Sequence, residues 1–244
     1  MILAIDIGNT RIKAAVFEGD ILLEVFVFLK IDLQKKIQNI LETHGKIKHL
    51  VVSSVSDVEK QWFSVFENVL NIHFVSHKDH FPFRNTYKTP QTLGIDRMVL
   101  AAGATLQYPN QNRLVIDAGT CITYDFIDEN NNYLGGAISP GLQLRYKSLN
   151  DYTAKLPLLS LEKPENFIGK STLESIHSGV VNGLAYEIDG FINEYKEQYL
   201  NFIIILTGGD AVFLANRLKN TIFANSNFLL ESLNQTFQYK IKND

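Results

Sequence analysis

The chain is short of cysteine. It has 244 residues and one cysteine, Cys121. No disulfide framework can form within it, and a reducing, cytoplasmic setting fits. It also lacks a long apolar run: no stretch approaches the roughly 18 residues that span a bilayer. The longest candidates, such as FIIIL at 202–206, read as core strands. No basic segment precedes the first apolar run and Asp6 cuts that run short, so the start is not expected to be a signal peptide. Charge of one sign is missing as well. The formal net charge is -3, which gives no electrostatic reason to expect nucleic acid or an anionic membrane as partner. What is present is globular: 45% hydrophobic and 20% charged residues, enough chain for one large domain or two small ones.

A repeat divides the chain. LAIDIGNT (Leu3 to Thr10) matches LVIDAGTC (Leu114 to Cys121), with Asp6 on Asp117 and Gly8 on Gly119, an offset of 117 - 6 = 111 residues. In the same register Val16 falls on Ile127, and the turn-like Glu18-Gly19-Asp20 falls on Glu129-Asn130-Asn131. Each copy reads strand, Asp-x-Gly, strand, turn, strand. Two copies with matched flanks imply duplicated α/β halves with a cleft between them. The polar PNQNR (109–113) reads as the boundary, giving domains 1–110 and 111–244.

The remaining pattern fits two such halves. Asp32 can cap a helix carrying Leu33, Ile37, Ile40 and Leu41, ended by Gly45. VVSSV (51–55) reads as a buried strand. Asp57 can cap a second helix carrying Trp62, Phe63, Phe66, Val69 and Leu70. HFVS (73–76) is a short strand, and a helix runs from about Gly94 to Tyr108. The second half has a Gly/Pro-rich corner at 135–141, a helix near 142–151 and a long helix from Thr172 to Tyr199. FIIIL then ends in TGGD (207–210), a further helix and a short strand near 221–224 follow, and the last stretch is helical.

Several segments carry chemistry. In the first hairpin Gly8 lets backbone approach an anion, and successive N–H groups can cradle it. Asn9, Thr10, Arg11 and Lys13 add donors or positive charge. Asp6 can hold Mg²⁺, which neutralises phosphate oxygens. Asp117 faces it from the second half, with Thr120 as a hydroxyl donor. TGGD can lay glycine backbone against a planar ligand such as adenine. In TLGIDRMVLAA (92–102), Asp96 and Arg97 sit near a helix N-terminus. The positive helix end favours an ionised Asp96, able to orient a hydroxyl and take its proton. The alternative for this segment alone is simple capping. IGKST (168–172) resembles the end of a P-loop but has Pro164 where that motif needs glycine and lacks a preceding strand. Thr172 is instead expected to cap the long helix, from where it could reach a ligand. His73, His77 and His80 fit no common zinc spacing. Cys121 is expected to be packed rather than reactive.

Together these residues resemble the type III pantothenate kinases. The resemblance rests on Asp6 to Lys13, Gly94-Ile-Asp-Arg97, Asp117-Ala-Gly-Thr120, Gly135-Gly-x-Ile-x-Pro-Gly141 and Thr207-Gly-Gly209, in matching order and spacing over nearly the whole chain. It implies the fold of the acetate and sugar kinase, heat-shock 70 and actin superfamily: an α/β protein of two duplicated ribonuclease-H-like (actin-like ATPase) domains with ATP in the cleft. It implies phosphorylation of the primary hydroxyl of pantothenate, the first step of coenzyme A synthesis. Asp6, Ile7, Gly8, Asn9, Thr10, Arg11, Ile12 and Lys13 would bind the ATP phosphates and Mg²⁺, with Asp6 on the metal. Asp96 would be the proton acceptor. Tyr87, Gly94, Ile95, Asp96 and Arg97 would line the pantothenate pocket, and Thr172 would contact pantothenate. Asp117 would hold the monovalent cation (K⁺ or NH₄⁺), and Thr120 would touch ATP. The family also implies a homodimer, and the small residues Ser175, Ser178, Gly179, Gly183 and Ala185 allow either close helix approach between subunits or packing on the sheet. Two other readings stay open on the residues alone. A phosphatase or chaperone of the same superfamily would not require Gly94 to Arg97, and an ATP sensor would not turn over.

Overall fold

The computed structural model describes residues 1–8, 11–54 and 60–243. In chain order the elements are β1 (Ile2–Ile7), β2 (Ile12–Glu18), β3 (Ile21–Phe28), α1 (Leu33–Thr43), β4 (His49–Ser54), β5 (Asn71–Phe74), β6 (Arg84–Asn85) and α2 (Ile95–Gln107). They continue with β7 (Asn112–Ala118), β8 (Cys121–Ile127), β9 (Asn132–Pro140), α3 (Leu142–Asp151), α4 (Thr172–His177) and α5 (Gly183–Gln198). The chain closes with β10 (Phe202–Thr207), α6 (Ala211–Ala215), β11 (Phe223–Ala224) and α7 (Phe228–Asn243). Two compact units form. Unit 1 is Met1–Pro109, Asn131–Tyr133 and Asn227–Asp244; unit 2 is Asn110–Asn130 and Leu134–Ser226.

Unit 1 is built on a sheet of order β3-β2-β1-β4-β5. β1 is central, antiparallel to β2 and parallel to β4, and nearly every residue of it is buried. That explains its unbroken apolar run, since a strand covered on both faces needs no polar alternation. Leu3, Ile5 and Ile7 join Leu50, Val52 and the inward residues Leu33, Ile37 and Ile40 of α1 in one core. The helix expected after Asp57 is not formed over 60–66, where the chain makes a 3-10 helix that still buries Phe63 and Phe66. Asp57 itself and Val55 lie outside the described residues. α7 is helical as expected but packs in unit 1, against α2, β1 and β4, although it is remote from them in sequence. Gly103 makes this possible: a Cβ there would overlap Ser232 on α7. Asn234 and Gln238 then donate to the Gly19 carbonyl, tying α7 to the β2–β3 turn.

Unit 2 repeats the plan. Its strands run β9-β8-β7-β10-β11, the same order as β3-β2-β1-β4-β5. β7 is antiparallel to β8 and parallel to β10. The polar residues read as a boundary turn are partly strand: Asn112 and Arg113 begin β7 and are buried. Asn112 is paired on both sides, donating to the Leu200 carbonyl and accepting from Glu129 N–H, and Arg113 donates to the Asp128 carbonyl. The long helix is interrupted but not broken: α4 passes through a π-helical stretch, Ser178–Asn182, into α5. The expected register drifts in one place. Leu3 pairs with Val16 and Leu114 with Phe126, so Val16 corresponds to Phe126 rather than Ile127. The cause is the turn. Residues 8–11 separate the paired Ile7 and Ile12, whereas only 119–121 separate Ala118 and Ile122.

Candidate active site

In unit 1, Asp6 stands one residue before the end of β1. Its direct partners are Lys13 across the antiparallel ladder and Ser53 across the parallel one. Directly partnered residues share a sheet face, so carboxylate, ammonium and hydroxyl emerge on the same side. Ile7 and Ile12 are fully buried and close the ladder. They anchor the turn and offer only backbone. Gly8 N–H donates to the Arg11 carbonyl over 3.2 Å, and a Cβ at Gly8 would press that carbonyl at 3.1 Å. Arg11 is exposed and Lys13 half-buried; Asn9 and Thr10 lie outside the described residues.

The start of α2 is the second cluster of unit 1. Gly94 occupies the N-cap position, Ile95 opens the helix, and Asp96 lies in the first turn rather than at the cap. The Asp96 carboxylate folds back to accept from Arg97 N–H at 2.8 Å. A Cβ on Gly94 would overlap that carboxylate, so glycine at 94 makes room for it. Burial raises the Asp96 pKa above the ordinary carboxylate value, outweighing the lowering by the Arg97 N–H and guanidinium. Desolvation thus opposes the helix end that favours the ionised form, and Asp96 is a weaker acid than an ordinary carboxylate. Arg97 is buried, with its guanidinium carbon 5.9 Å from the centre of the Tyr87 ring. Tyr87 is held by its own N–H on the Asn85 side chain and by the Tyr133 ring at 6.2 Å. His77 Nε2 donates to the Leu93 carbonyl at 2.8 Å, fixing the approach to Gly94.

In unit 2, Asp117 pairs with Thr123 on β8 and Thr207 on β10. The loop after β10 folds over it. Gly208 has φ of +98°, and a Cβ there would overlap both Asp117 Oδ1 and the Ala118 carbonyl, so glycine is required twice over. Asp210 N–H donates to the Ala118 carbonyl at 2.9 Å and closes the loop. Thr120 is exposed, and its carbonyl accepts from Gly141 N–H at 3.0 Å, seating the turn on the Gly/Pro corner.

Known proteins were compared with this arrangement. The model of the family described as type III pantothenate kinase matches residues 2–194. The chain belongs to the type III pantothenate kinase family. A curated type III pantothenate kinase of Flavobacterium johnsoniae is 71% identical over 244 residues, covering 100% of both chains. One from Flavobacterium psychrophilum is 60% identical over 240 residues, covering 98% of this chain and 100% of its own. Among solved structures, a Campylobacter jejuni protein described as a Baf family transcriptional activator superposes with TM-score 0.65 at 22% identity, over 98% of this chain and 99% of that one. The activator of the 2-hydroxyisocaproyl-CoA dehydratase from Clostridium difficile, with bound ADPNP, gives TM-score 0.57 at 12% identity, over 99% and 96%. These likenesses carry the two-domain actin-like ATPase fold. Family membership makes the chain an ATP-dependent kinase acting on pantothenate, the first step of coenzyme A synthesis, with a divalent metal accompanying ATP.

The type III pantothenate kinase residues present fit such a metal. Mg²⁺ keeps several waters and takes one or two carboxylates plus substrate phosphates rather than a full protein cage. Asp6 offers one carboxylate that could serve so, and no group of three or more His, Cys, Asp or Glu side chains forms a cage among the described residues. Thr172 lies in the first turn of α4, in unit 2. The cap is Ser171, whose Oγ accepts from Glu174 N–H at 3.2 Å, so Thr172 does not cap as expected. Its exposed side chain lines a cavity of about 950 Å³ with Arg145, Lys170, Ser171, Ser175 and Gly179. Cys121 is exposed rather than packed. Ser53 is the neighbour that sequence reasoning missed. VVSSV read as a buried strand, and only the pairing of β4 with β1 sets one of its serines beside Asp6.

Proposed function

We propose that Asp96 is the proton acceptor for the primary hydroxyl of pantothenate, and that Asp6 to Lys13 hold the ATP phosphates and their Mg²⁺. The observation that carries this reading is the half-buried Asp96 carboxylate, given space by Gly94, beside the Arg97–Tyr87 pair and raised in pKa by desolvation. A base need only be moderately strong here, because phosphoryl transfer depends mainly on positioning and charge stabilisation. Arg97 and Tyr87, with the backbone of Gly94 and Ile95, receive pantothenate, whose carboxylate suits a guanidinium. Gly8 N–H, Arg11 and Lys13 take the phosphates; when bound, Mg²⁺ neutralises phosphate charge. In unit 2, Asp117 holds a monovalent cation, K⁺ or NH₄⁺, and Thr120 contacts ATP. Asp117 supplies a carboxylate oxygen of the kind such a cation takes.

Thr172 contacts pantothenate, and the enzyme works as a cytoplasmic homodimer. Gly179, Gly183 and Gly190 support the dimer: a Cβ at each would meet nothing within 4 Å, so packing inside the chain does not require glycine there. No helix among the described residues is long and apolar enough to cross a membrane. The test is ADP release from ATP with and without pantothenate, in K⁺ and then in Na⁺. Pantothenate-dependent, K⁺-stimulated release is expected. Release independent of pantothenate would mark a phosphatase, and none at all a sensor.

A further inference from the structure

We propose that Ser53 is a positioning residue for the divalent cation at Asp6, and that Thr207 plays the same part for the cation at Asp117. The inference rests on the reading that these two aspartates hold cations. Ser53 is the direct partner of Asp6 across the parallel β1–β4 ladder, so the two side chains share a face. Ser53 is fully buried, and its Oγ has no hydrogen-bond partner among the described residues. Unit 2 holds the same arrangement. Thr207 is the direct partner of Asp117 across β7–β10, is 1% exposed, and its Oγ1 is likewise buried without a partner.

A buried hydroxyl without a partner carries a desolvation cost that an apolar residue would not. Chance retention at one site is easily accepted; retention at the same register position in both halves is not. The aligned stretches, Leu50-Val-Val-Ser53 and Ile204-Ile-Leu-Thr207, share no identical residue. The apolar positions exchanged freely, yet the hydroxyl beside the aspartate was kept. The missing partner is an oxygen of the cation's own shell. Mg²⁺ keeps several waters in place of protein ligands. A water bound to the ion and hydrogen-bonded to Ser53 Oγ would orient the ion on Asp6, as partners of this outer kind do at other metal sites.

The experiment titrates Mn²⁺ into the full-length protein with ADP bound, reading free Mn²⁺ by electron paramagnetic resonance. Ser53→Ala is expected to bind Mn²⁺ about tenfold more weakly, the usual range for an outer-shell partner. Its ADP affinity in EDTA and its melting temperature should not fall. Ser53→Thr, which copies the unit 2 residue, should restore Mn²⁺ affinity to within about twofold. For the second site, Thr207→Val should raise about tenfold the K⁺ concentration that half-maximally lifts the melting temperature, with Mn²⁺ affinity unchanged; Thr207→Ser should restore it. Wild-type Mn²⁺ binding by Ser53→Ala overturns the proposal. So does an equal loss in Ser53→Ala and Ser53→Thr with a lowered melting temperature, which marks a packing role. Asp6→Asn is the control: if it too binds Mn²⁺ like the wild type, the cation is not at Asp6 and the proposal falls with that reading.

Discussion

The two Asp-x-Gly hairpins are copies that have parted in length and in charge. In unit 1 residues 8–11 lie between the paired isoleucines; in unit 2 only 119–121 lie between Ala118 and Ile122. Unit 1 sets Lys13 opposite Asp6 and Arg11 just before the paired Ile12, whereas unit 2 sets Thr123 opposite Asp117 and Cys121 just before the paired Ile122. The aspartates sit at equivalent strand positions, so the fold asks for a carboxylate in both. The cationic side chains beside it, Arg11 and Lys13, appear in unit 1. On the proposed function, the longer, positive turn takes the polyanion and the shorter turn, with Gly208 packed against Asp117, takes the small ion. Duplication supplied the scaffold, and on that proposal a few residues divide the work.

The proton acceptor is expected to belong to unit 1 alone, and its removal should have the largest effect. Asp96→Asn should lower kcat by about 10²- to 10⁴-fold with the fold intact, measured by coupled ADP release. In the wild type the acid limb of kcat/KM should lie above the ordinary carboxylate range, because the ionised form is the base and burial has raised its pKa. The stability sign follows. A raised carboxylate pKa costs the fold nothing below the unfolded pKa and costs most above the folded one. Asp96→Asn should therefore melt no lower than wild type at pH 7, with any gain vanishing as pH falls below the carboxylate range. Near-wild-type turnover in this variant would remove Asp96 from the mechanism.

Exchanging the hairpin residues should come next. Lys13→Thr gives unit 1 the residue of unit 2 and should lower kcat/KM for ATP by about 10- to 100-fold, the worth of one charge-assisted hydrogen bond. An unchanged value would mean that the charge contrast between the hairpins has no bearing on phosphate. Asp117→Asn should make the rates in K⁺ and Na⁺ coincide; K⁺ stimulation that survives would put the cation elsewhere. The smallest effect is expected at Cys121→Ser, whose exposed side chain should change kcat and KM by less than about twofold.

Local pattern made much of this legible. β1 and β7 carried an apolar run ending in Asp-x-Gly, α1 its 3.6-residue stripe, and α2 its glycine start, and each formed where expected. The candidate site residues stood out because their types are chemically conspicuous: carboxylates, cations and glycines at strand and helix ends. Where reading failed, a distant partner decided. The 3-10 helix at Lys60–Phe66 buries the same aromatic residues a helix would have, so apolar spacing could not separate the two. Asn112 and Arg113 read as a turn because the groups that pair with them inside β7 lie far along the chain or across the hairpin.

The sequence by itself determined the duplicated plan, the two aspartates, the glycines around them and Asp96 beside Arg97, because each follows from residue type and short spacing. Only the tertiary structure decided that α7 packs with unit 1, that desolvation raises the Asp96 pKa, and that Ser53 and Thr207 stand beside the aspartates. The reason is the same in each case. Burial and register across parallel strands depend on residues brought together from far along the chain, and no local pattern encodes them.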